Sequence, residues 1–253
     1  MFKRLLVILS LGFVTCFGQA EKVRVGGYEF APFVFQSAVG NYRGVTLDLI
    51  NALNHLQDDY QFELVVISPP ARYKAFKRKR FDTIFFESMD WGWQDHEIEP
   101  SKVFLSGGEV YVAMQGEERD QSYFDQFADK SIIGMQGYHY GLANFNSDPE
   151  YLKQQHNFIL TRSNVSAIRM LEKGRGDVAI ITLSFLKLFL KEEPSLASQL
   201  LVSEKLDQEY RHTILVRKQH KISVAQINGW LDELEQQGML AKIWAKWGLD
   251  AEL

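Results

Sequence analysis

Arg72 is set apart from the other cations of the chain by the two prolines that come shortly before it. Pro69 and Pro70 end a strand-like run, and Arg72 follows where a helix can begin. A guanidinium binds planar anions through paired hydrogen bonds. We therefore predict that Arg72 binds an anionic group of a ligand, whereas the basic run at residues 77–80 forms a solvated helix end.

A loop with two tryptophans follows the third strand-like run. It reads Ser88-Met89-Asp90-Trp91-Gly92-Trp93-Gln94-Asp95. Trp91 and Trp93 could stack on a ring, a sugar face or a cation, or could pack in a hinge. Asp90 could bind a cationic group or stay solvated. We predict ligand contacts from Ser88, Asp90, Trp91 and Trp93.

The segment Gln136-Gly137-Tyr138-His139-Tyr140 combines an expected helix start with side chains that donate hydrogen bonds. The pattern predicts a helix over 138–145, and the free N–H groups at a helix start favour an anion. Tyr138 and His139 could add donors, with His139 titrating near neutral pH. The alternative is a capping turn with exposed rings. We predict that Gln136, Tyr138 and His139 contact the ligand.

Catalytic and metal-binding patterns do not stand out in the sequence. The six histidines lack the His-x-x-x-His spacing of a zinc site, and neither a Gly-x-Ser-x-Gly nucleophile nor a phosphate loop is present. One cysteine excludes a disulfide framework. The formal charge of −4 argues against a nucleic-acid partner. We therefore expect no cofactor, no metal and no nucleic acid.

The first twenty residues read as a cleavable signal peptide. Lys3 and Arg4 precede the apolar run 5–17, and small residues flank Gln19 before a cleavage site after Ala20. The apolar run is shorter than the roughly 20 residues of a membrane-spanning helix. Cys16 raises the alternative of a lipid anchor. Cleavage removes two of the 28 basic residues and none of the 32 acidic ones, so the formal charge falls from −4 to −6. We expect an exported protein in the periplasm.

Short apolar runs alternate with helical patterns around these candidate residues. Strands are predicted at 23–25, 62–67, 83–86, 132–134, 158–160 and 178–181, and helices at 45–56, 71–79 and 163–173. Ser163 can cap the last of these helices. Because strands and helices alternate, the sequence predicts an α/β protein with mainly parallel sheets covered by helices on both faces.

The layout predicts two similar lobes joined by crossover strands at 110–114 and 213–216. The first lobe would comprise 21–112 and 215–253, and the second 113–214. Small molecules bind beyond the carboxyl ends of parallel strands. Two facing lobes would enclose that region, and a two-strand hinge would let them close on the ligand.

Seven short motifs, in order along the chain, are typical of one receptor family. They are Val23-Arg24-Val25-Gly26, Phe30-Ala31-Pro32-Phe33, Gly44-Val45-Thr46-Leu47-Asp48-Leu49, Phe81-Asp82, Gly134-Met135-Gln136-Gly137, Leu171-Glu172-Lys173-Gly174-Arg175-Gly176-Asp177 and Gly238-Met239-Leu240-Ala241-Lys242-Ile243-Trp244-Ala245-Lys246-Trp247-Gly248. The mature chain resembles the bacterial periplasmic solute-binding proteins of family 3, the polar-amino-acid-type receptors of ABC importers. The resemblance implies a two-lobe, type II periplasmic binding protein fold.

Two departures from the family pattern bear on the ligand. The family usually holds a ligand carboxylate with an arginine after the third strand, but residues 88–95 contain no arginine. It commonly pairs the ligand ammonium with an aspartate at the position of Thr182. Phe30 stands where relatives cover the ligand with an aromatic ring, although Phe30 and Phe33 could equally be core around Pro32. Phe30 and Thr182 complete the predicted site, and an ordinary amino-acid ligand does not follow.

We therefore predict a monomeric periplasmic receptor, not an enzyme. It would close on a small polar molecule and either deliver it to an ABC permease or report it to a membrane sensor. The alternative is a dehydratase-like enzyme on the same fold, which would act on a small carboxylate with His139, Glu87 or Asp90 transferring a proton.

Overall fold

The structure of the protein is a computed structural model that describes residues 20–37 and 39–249. Apart from Ala20, the predicted signal peptide lies outside the described residues, and so does Cys16. No helix in the described ranges is long and apolar enough to cross a bilayer. Within the same ranges, no three side chains of the types that bind metals come together.

The first half of the fold is built on three parallel strands. Its elements are β1 (Glu21–Gly27), β2 (Phe35–Gln36), β3 (Tyr42–Arg43), α1 (Val45–Leu56), β4 (Tyr60–Val66), α2 (Arg72–Lys77), β5 (Thr83–Glu87) and β6 (Ile98–Pro100). Strand β1 lies between β4 and β5 and pairs in parallel with both. Helix α1 has the predicted bounds because its apolar residues recur at helical spacing and are buried.

The second half repeats this arrangement. Its elements are β7 (Leu105–Met114), β8 (Ile132–Met135), α3 (Pro149–His156), β9 (Phe158–Thr161), α4 (Asn164–Glu172), β10 (Val178–Thr182), α5 (Leu183–Glu192) and α6 (Pro194–Ala197). Strand β8 lies between β9 and β10 and pairs in parallel with both. Ser163 caps α4 as predicted, since its side chain accepts a hydrogen bond from the backbone N–H of Ser166.

Two long strands connect the halves into one sheet. Strand β7 pairs antiparallel with β11 (Leu200–Arg217) and with β10, and β11 continues into the first half, where it pairs antiparallel with β5 and β6. The strand order is β4-β1-β5-β11-β7-β10-β8-β9. The predicted crossover residues 110–114 and 213–216 are confirmed as strand, and both strands extend well beyond them.

The last two helices return to the first half, as predicted. Helices α7 (Val224–Gln236) and α8 (Met239–Lys246) pack against α1. Immediately after α8, Nε1 of Trp247 donates to the carboxylate of Asp48 in α1 at 2.7 Å. Lys246 contacts the same carboxylate at 2.7 Å. These contacts attach the end of the described chain to the half in which it begins.

Replacing Asp82 by asparagine is expected to destabilise the fold by about 1 to 3 kcal/mol at pH 7. Its carboxylate accepts hydrogen bonds from the backbone N–H, Nε and Nη2 of Arg24 in β1 at 3.0, 2.9 and 2.6 Å. Burial opposes the charge of Asp82, but the hydrogen bonds and charge of Arg24 outweigh burial and lower the pKa of the carboxyl. This stabilisation is present above the unfolded-state pKa and disappears as the pH falls through the folded one.

Urea unfolding at pH 7 and pH 3 measures this effect. The advantage of the wild type over Asp82→Asn should be smaller at the lower pH. Asp58→Asn, a change at an exposed position in the bend between α1 and β4, serves as the matched control and should be neutral. Equal stability of the wild type and Asp82→Asn at pH 7 would contradict the prediction.

Candidate functional site

A small cavity lies where the two halves of the fold and the two long strands meet. Ten residues line it: Tyr28, Phe30, Arg72, Trp91, Glu109, Gly137, Tyr138, His139, Gln208 and Tyr210. The space left between them measures about 10 Å³. One water molecule needs about this volume. The side chains therefore nearly fill the cleft in this conformation.

Arg72 crosses the cleft with a fully buried guanidinium. Nη1 donates to the carbonyl oxygens of Pro69 at 2.7 Å and Gly137 at 2.8 Å. Nη2 donates to the hydroxyl of Tyr73 and to Nδ1 of His139, both at 2.9 Å. Arginine has no acceptor, so Nδ1 of His139 must accept. All four N–H groups of the terminal nitrogens thus have protein partners.

Glu87, the last residue of β5, supplies the charge opposite Arg72. Its Oε1 lies 3.9 Å from Nε of Arg72, and its Oε2 accepts a hydrogen bond from Nε1 of Trp93 at 2.8 Å. Burial raises the pKa of Glu87 and the charge of Arg72 lowers it, with burial the larger effect. Oε1 of Glu87 and Nε of Arg72 have no hydrogen-bond partner in the described structure. The two buried charges therefore depend on each other.

The segment after β8 is a turn and not the predicted helix. Residues 136–140 are non-helical, and only a single 3-10 turn, Gly141–Ala143, follows. The carboxylate of Asp207 accepts hydrogen bonds from the backbone N–H groups of Gly141 at 2.7 Å and Leu142 at 2.9 Å, and from the hydroxyl of Tyr111 at 2.8 Å. The expected helix start with free N–H groups is wrong, because an acidic side chain from β11 already holds this turn.

Glu109 and Gln208 form a buried polar pair from the two long strands. Nε2 of Gln208 donates to Oε2 of Glu109 at 2.7 Å and to the carbonyl oxygen of His139, while its Oε1 accepts from Nε1 of Trp91 at 2.9 Å. Burial and the neighbouring charge of Asp207 raise the pKa of Glu109 to about 8. No cation of the described chain forms an ion pair with Glu109.

The two buried histidines of this region are neutral at physiological pH. Burial, and then the charge of Arg72, lower the pKa of His139 to about 3. Burial lowers the pKa of His212 to about 3 as well. His212 lies among the rings of Phe30, Phe33 and Trp91, and neither of its ring nitrogens has a hydrogen-bond partner in the described structure. The prediction that His139 titrates near neutral pH is therefore wrong.

The sequence profile of the bacterial extracellular solute-binding proteins, family 3, matches residues 23–250. The chain belongs to this family. Comparison with curated proteins gives no match. Among solved structures, the chain is similar to an ABC uptake transporter substrate-binding protein from Streptococcus pneumoniae with bound histidine. The TM-score is 0.74 and the identity 19%, and the alignment covers 91% of this chain and 94% of the other.

Two further solved structures share the fold. One is a mutant of ArgBP from T. maritima, at a TM-score of 0.68 and 20% identity over 89% of this chain and 94% of the other. The second is an ancestral amino acid-binding protein, a precursor of cyclohexadienyl dehydratase. Its TM-score is 0.67 and its identity 18%, and the alignment covers 89% of this chain and 95% of the other. The fold is thus the type II periplasmic binding protein fold, and its two halves are the two lobes.

Five of the ten predicted site residues line the cavity. Phe30, Arg72 and Trp91 come from the first lobe, and Tyr138 and His139 from the second. They are brought together because the loops that carry them follow the carboxyl ends of parallel strands in the two lobes.

The other five predicted residues lie outside the cavity lining. Asp90 and Gln136 are exposed, and Ser88 is half-buried and bonded to the backbone N–H of Asp90 at 3.2 Å. Trp93 is buried in the first lobe against Tyr73, Phe76 and His96. Thr182 ends β10 and pairs with Glu109 across the sheet, and its buried hydroxyl has no partner in the described structure.

Sequence reasoning missed the residues that the two long strands contribute. Glu109, Gln208 and Tyr210 line the cavity from β7 and β11. The available signal for Glu109 was its own position, since it is a charged residue directly before the apolar run 110–114. Asp207, which holds the turn at 141–142, had no local signal because its partners are more than sixty residues away along the chain.

Proposed function

We propose that the protein is a periplasmic receptor that closes its lobes on a small polar solute. The observation that carries this proposal is the cavity, because both lobes and both connecting strands contribute to its lining. A solute in such a cavity gains contacts on every side only when the lobes are together, so binding favours the closed shape. The receptor would act as a monomer and serve an ABC importer or a membrane sensor.

The proposed lobes are 21–112 with 215–253, and 113–214. Direct contacts between them hold the closed shape. The hydroxyl of Tyr138 donates to the carbonyl oxygen of Glu29 at 2.9 Å, and Arg72 donates to the carbonyl oxygen of Gly137. Opening must break these hydrogen bonds, while β7 and β11 keep the lobes connected.

We propose binding, without catalysis, as the role of the cavity. A dehydratase-type reaction needs a group that can transfer a proton. Of the three candidates, Asp90 is exposed outside the cavity, and both ring nitrogens of His139 contact other side chains of the chain. The carboxyl of Glu87 accepts a hydrogen bond from Trp93 and forms an ion pair with Arg72. Recovery of a bound solute in unchanged form would support binding, and recovery of a product would contradict it.

Thermal unfolding across a solute panel tests the receptor function. A solute present at 100 times its Kd should stabilise the purified protein by about 2.7 kcal/mol. Small-angle scattering on the same samples should show a smaller radius of gyration with the solute than without it. A protein that responds to no amino acid, amine, peptide, sugar or carboxylate in either measurement would contradict the proposal.

A further inference from the structure

Four aromatic rings converge on the cavity. The ring centroid of Phe30 lies 6.1 Å from that of Trp91, 5.6 Å from that of Tyr138 and 5.9 Å from that of Tyr210. Trp91 and Tyr210 are themselves 5.1 Å apart. All four rings are buried. Aromatic faces attract organic cations, most strongly where water is excluded.

A carboxyl group without a cationic partner completes this arrangement. Glu109 lines the same cavity and is 1% exposed. Its partner Gln208 is neutral, and the only buried cation of the lining, Arg72, faces Glu87 instead. Because Arg72 faces Glu87, which lies outside the lining, the one carboxyl group of the lining has no cation opposite it. A ligand ammonium beside Glu109 would favour the ionised form of this carboxyl and pair with it.

Most of the donors that could hold a ligand carboxylate are already bonded within the chain, and Nε of Arg72, which is not, faces the carboxyl of Glu87. The terminal N–H groups of Arg72 are bonded to protein acceptors. The N–H groups of Gly141 and Leu142 hold the carboxylate of Asp207. The side-chain amide nitrogen of Gln208 donates to two acceptors. With the contacts of this closed arrangement in place, an α-amino acid would bury its carboxylate without these donors, which strongly disfavours binding.

We propose that the ligand of this cavity is a small organic amine, a monocation with a compact apolar body and no carboxylate. It enters when the lobes part and places its ammonium against Glu109 and the rings of Trp91 and Tyr210. Amino acids are disfavoured because the donors that a carboxylate would need are already engaged. The terminal N–H groups of Arg72 are bonded within the chain, and Asp207 accepts the N–H groups of Gly141 and Leu142. The proposal rests on the receptor function above and adds the ligand class.

Matched pairs of amines and amino acids test the ligand class. Histamine and histidine, tyramine and tyrosine, and isoamylamine and leucine each differ only by the carboxylate. Isothermal titration calorimetry of the purified protein at pH 7.5 should give at least one amine that binds at least about tenfold more tightly than its amino acid. That ratio corresponds to about 1.4 kcal/mol.

Glu109→Gln tests the residue that receives the ammonium. This variant keeps the size of the side chain but cannot ionise, so no carboxylate can form against the ammonium, and the affinity for the amine should fall by at least about tenfold. Glu118→Gln, at an exposed position beyond the end of β7, is the matched control and should bind as the wild type does. Circular dichroism of Glu109→Gln confirms that the variant is folded before its affinity is measured.

Different failures separate the two proposals. An amino acid that binds more tightly than its amine overturns the amine class and leaves the receptor function standing. The amine class is also overturned if a solute of another class binds while every amine fails. It is overturned as well if an amine binds Glu109→Gln and the wild type with the same affinity. A protein that binds no solute of any class overturns the receptor function, and the ligand class with it.

Discussion

Replacement of Arg72 by methionine should destabilise the protein by about 3 to 5 kcal/mol, because it leaves a buried charge without its partner. Glu87 is fully buried, and Arg72 is the one cation beside it in the described structure. The substitution also leaves the carbonyl oxygen of Gly137 without its donor. Urea unfolding at pH 7, followed by circular dichroism, measures the loss.

The double variant Arg72→Met with Glu87→Gln separates the charge from the packing. Once both charges are gone, neither is left unpaired, so the double variant should be more stable than Arg72→Met alone. Arg78→Met is the matched control. Arg78 is exposed at the end of α2, and its loss should change the free energy of unfolding by less than about 0.5 kcal/mol. An Arg72→Met variant as stable as Arg78→Met would contradict the buried pair.

Glu109→Gln is expected to stabilise the protein at pH 8. Burial and the charge of Asp207 raise the pKa of Glu109 to about 8, well above that of an unfolded glutamate. The folded state therefore holds this proton more tightly than the unfolded state does. The corresponding stability is fully present below the unfolded pKa and is lost as the pH rises through the folded one. Glutamine has no such proton to lose.

The difference between the two proteins should therefore depend on pH. At pH 4 the wild type and Glu109→Gln should be similar in stability, and at pH 8 the variant should be more stable by about 3 to 5 kcal/mol. Unfolding curves at pH 4, 6 and 8 measure the divergence, and Glu118→Gln should follow the wild type throughout. A constant difference across this range would contradict the raised pKa. Carboxyl groups that reduce stability in this way are common at binding sites.

Local sequence patterns predicted most of the fold. Helix α1 was predicted at both ends because its apolar residues follow a helical period, and α4 because Ser163 caps it. The lengths of β7 and β11 were not predictable in this way. After Leu105, strand β7 continues with Ser106, Gly107 and Gly108, which have low strand propensity, and these residues form a strand because β11 pairs with them.

The site was predictable only where loops carry it. Arg72 and Trp91 stand beside clear breaks between elements, so their positions near the cleft followed from topology. Their partners did not, because the carbonyl oxygen of Gly137 and the side chain of Gln208 lie far away in sequence. The helix predicted over 138–145 was wrong for the same reason: Asp207, a distant residue, accepts the N–H groups of Gly141 and Leu142 in a turn.

A cavity with room for about one water molecule also has a kinetic consequence. No organic solute enters this conformation, so each encounter must wait for the lobes to separate. Raising the solute concentration then speeds uptake only until separation becomes the slowest step, after which the observed association rate reaches a plateau. The strength of the contacts across the cleft, chiefly those of Arg72 and Tyr138, thereby sets the time that the receptor takes to fill and to empty.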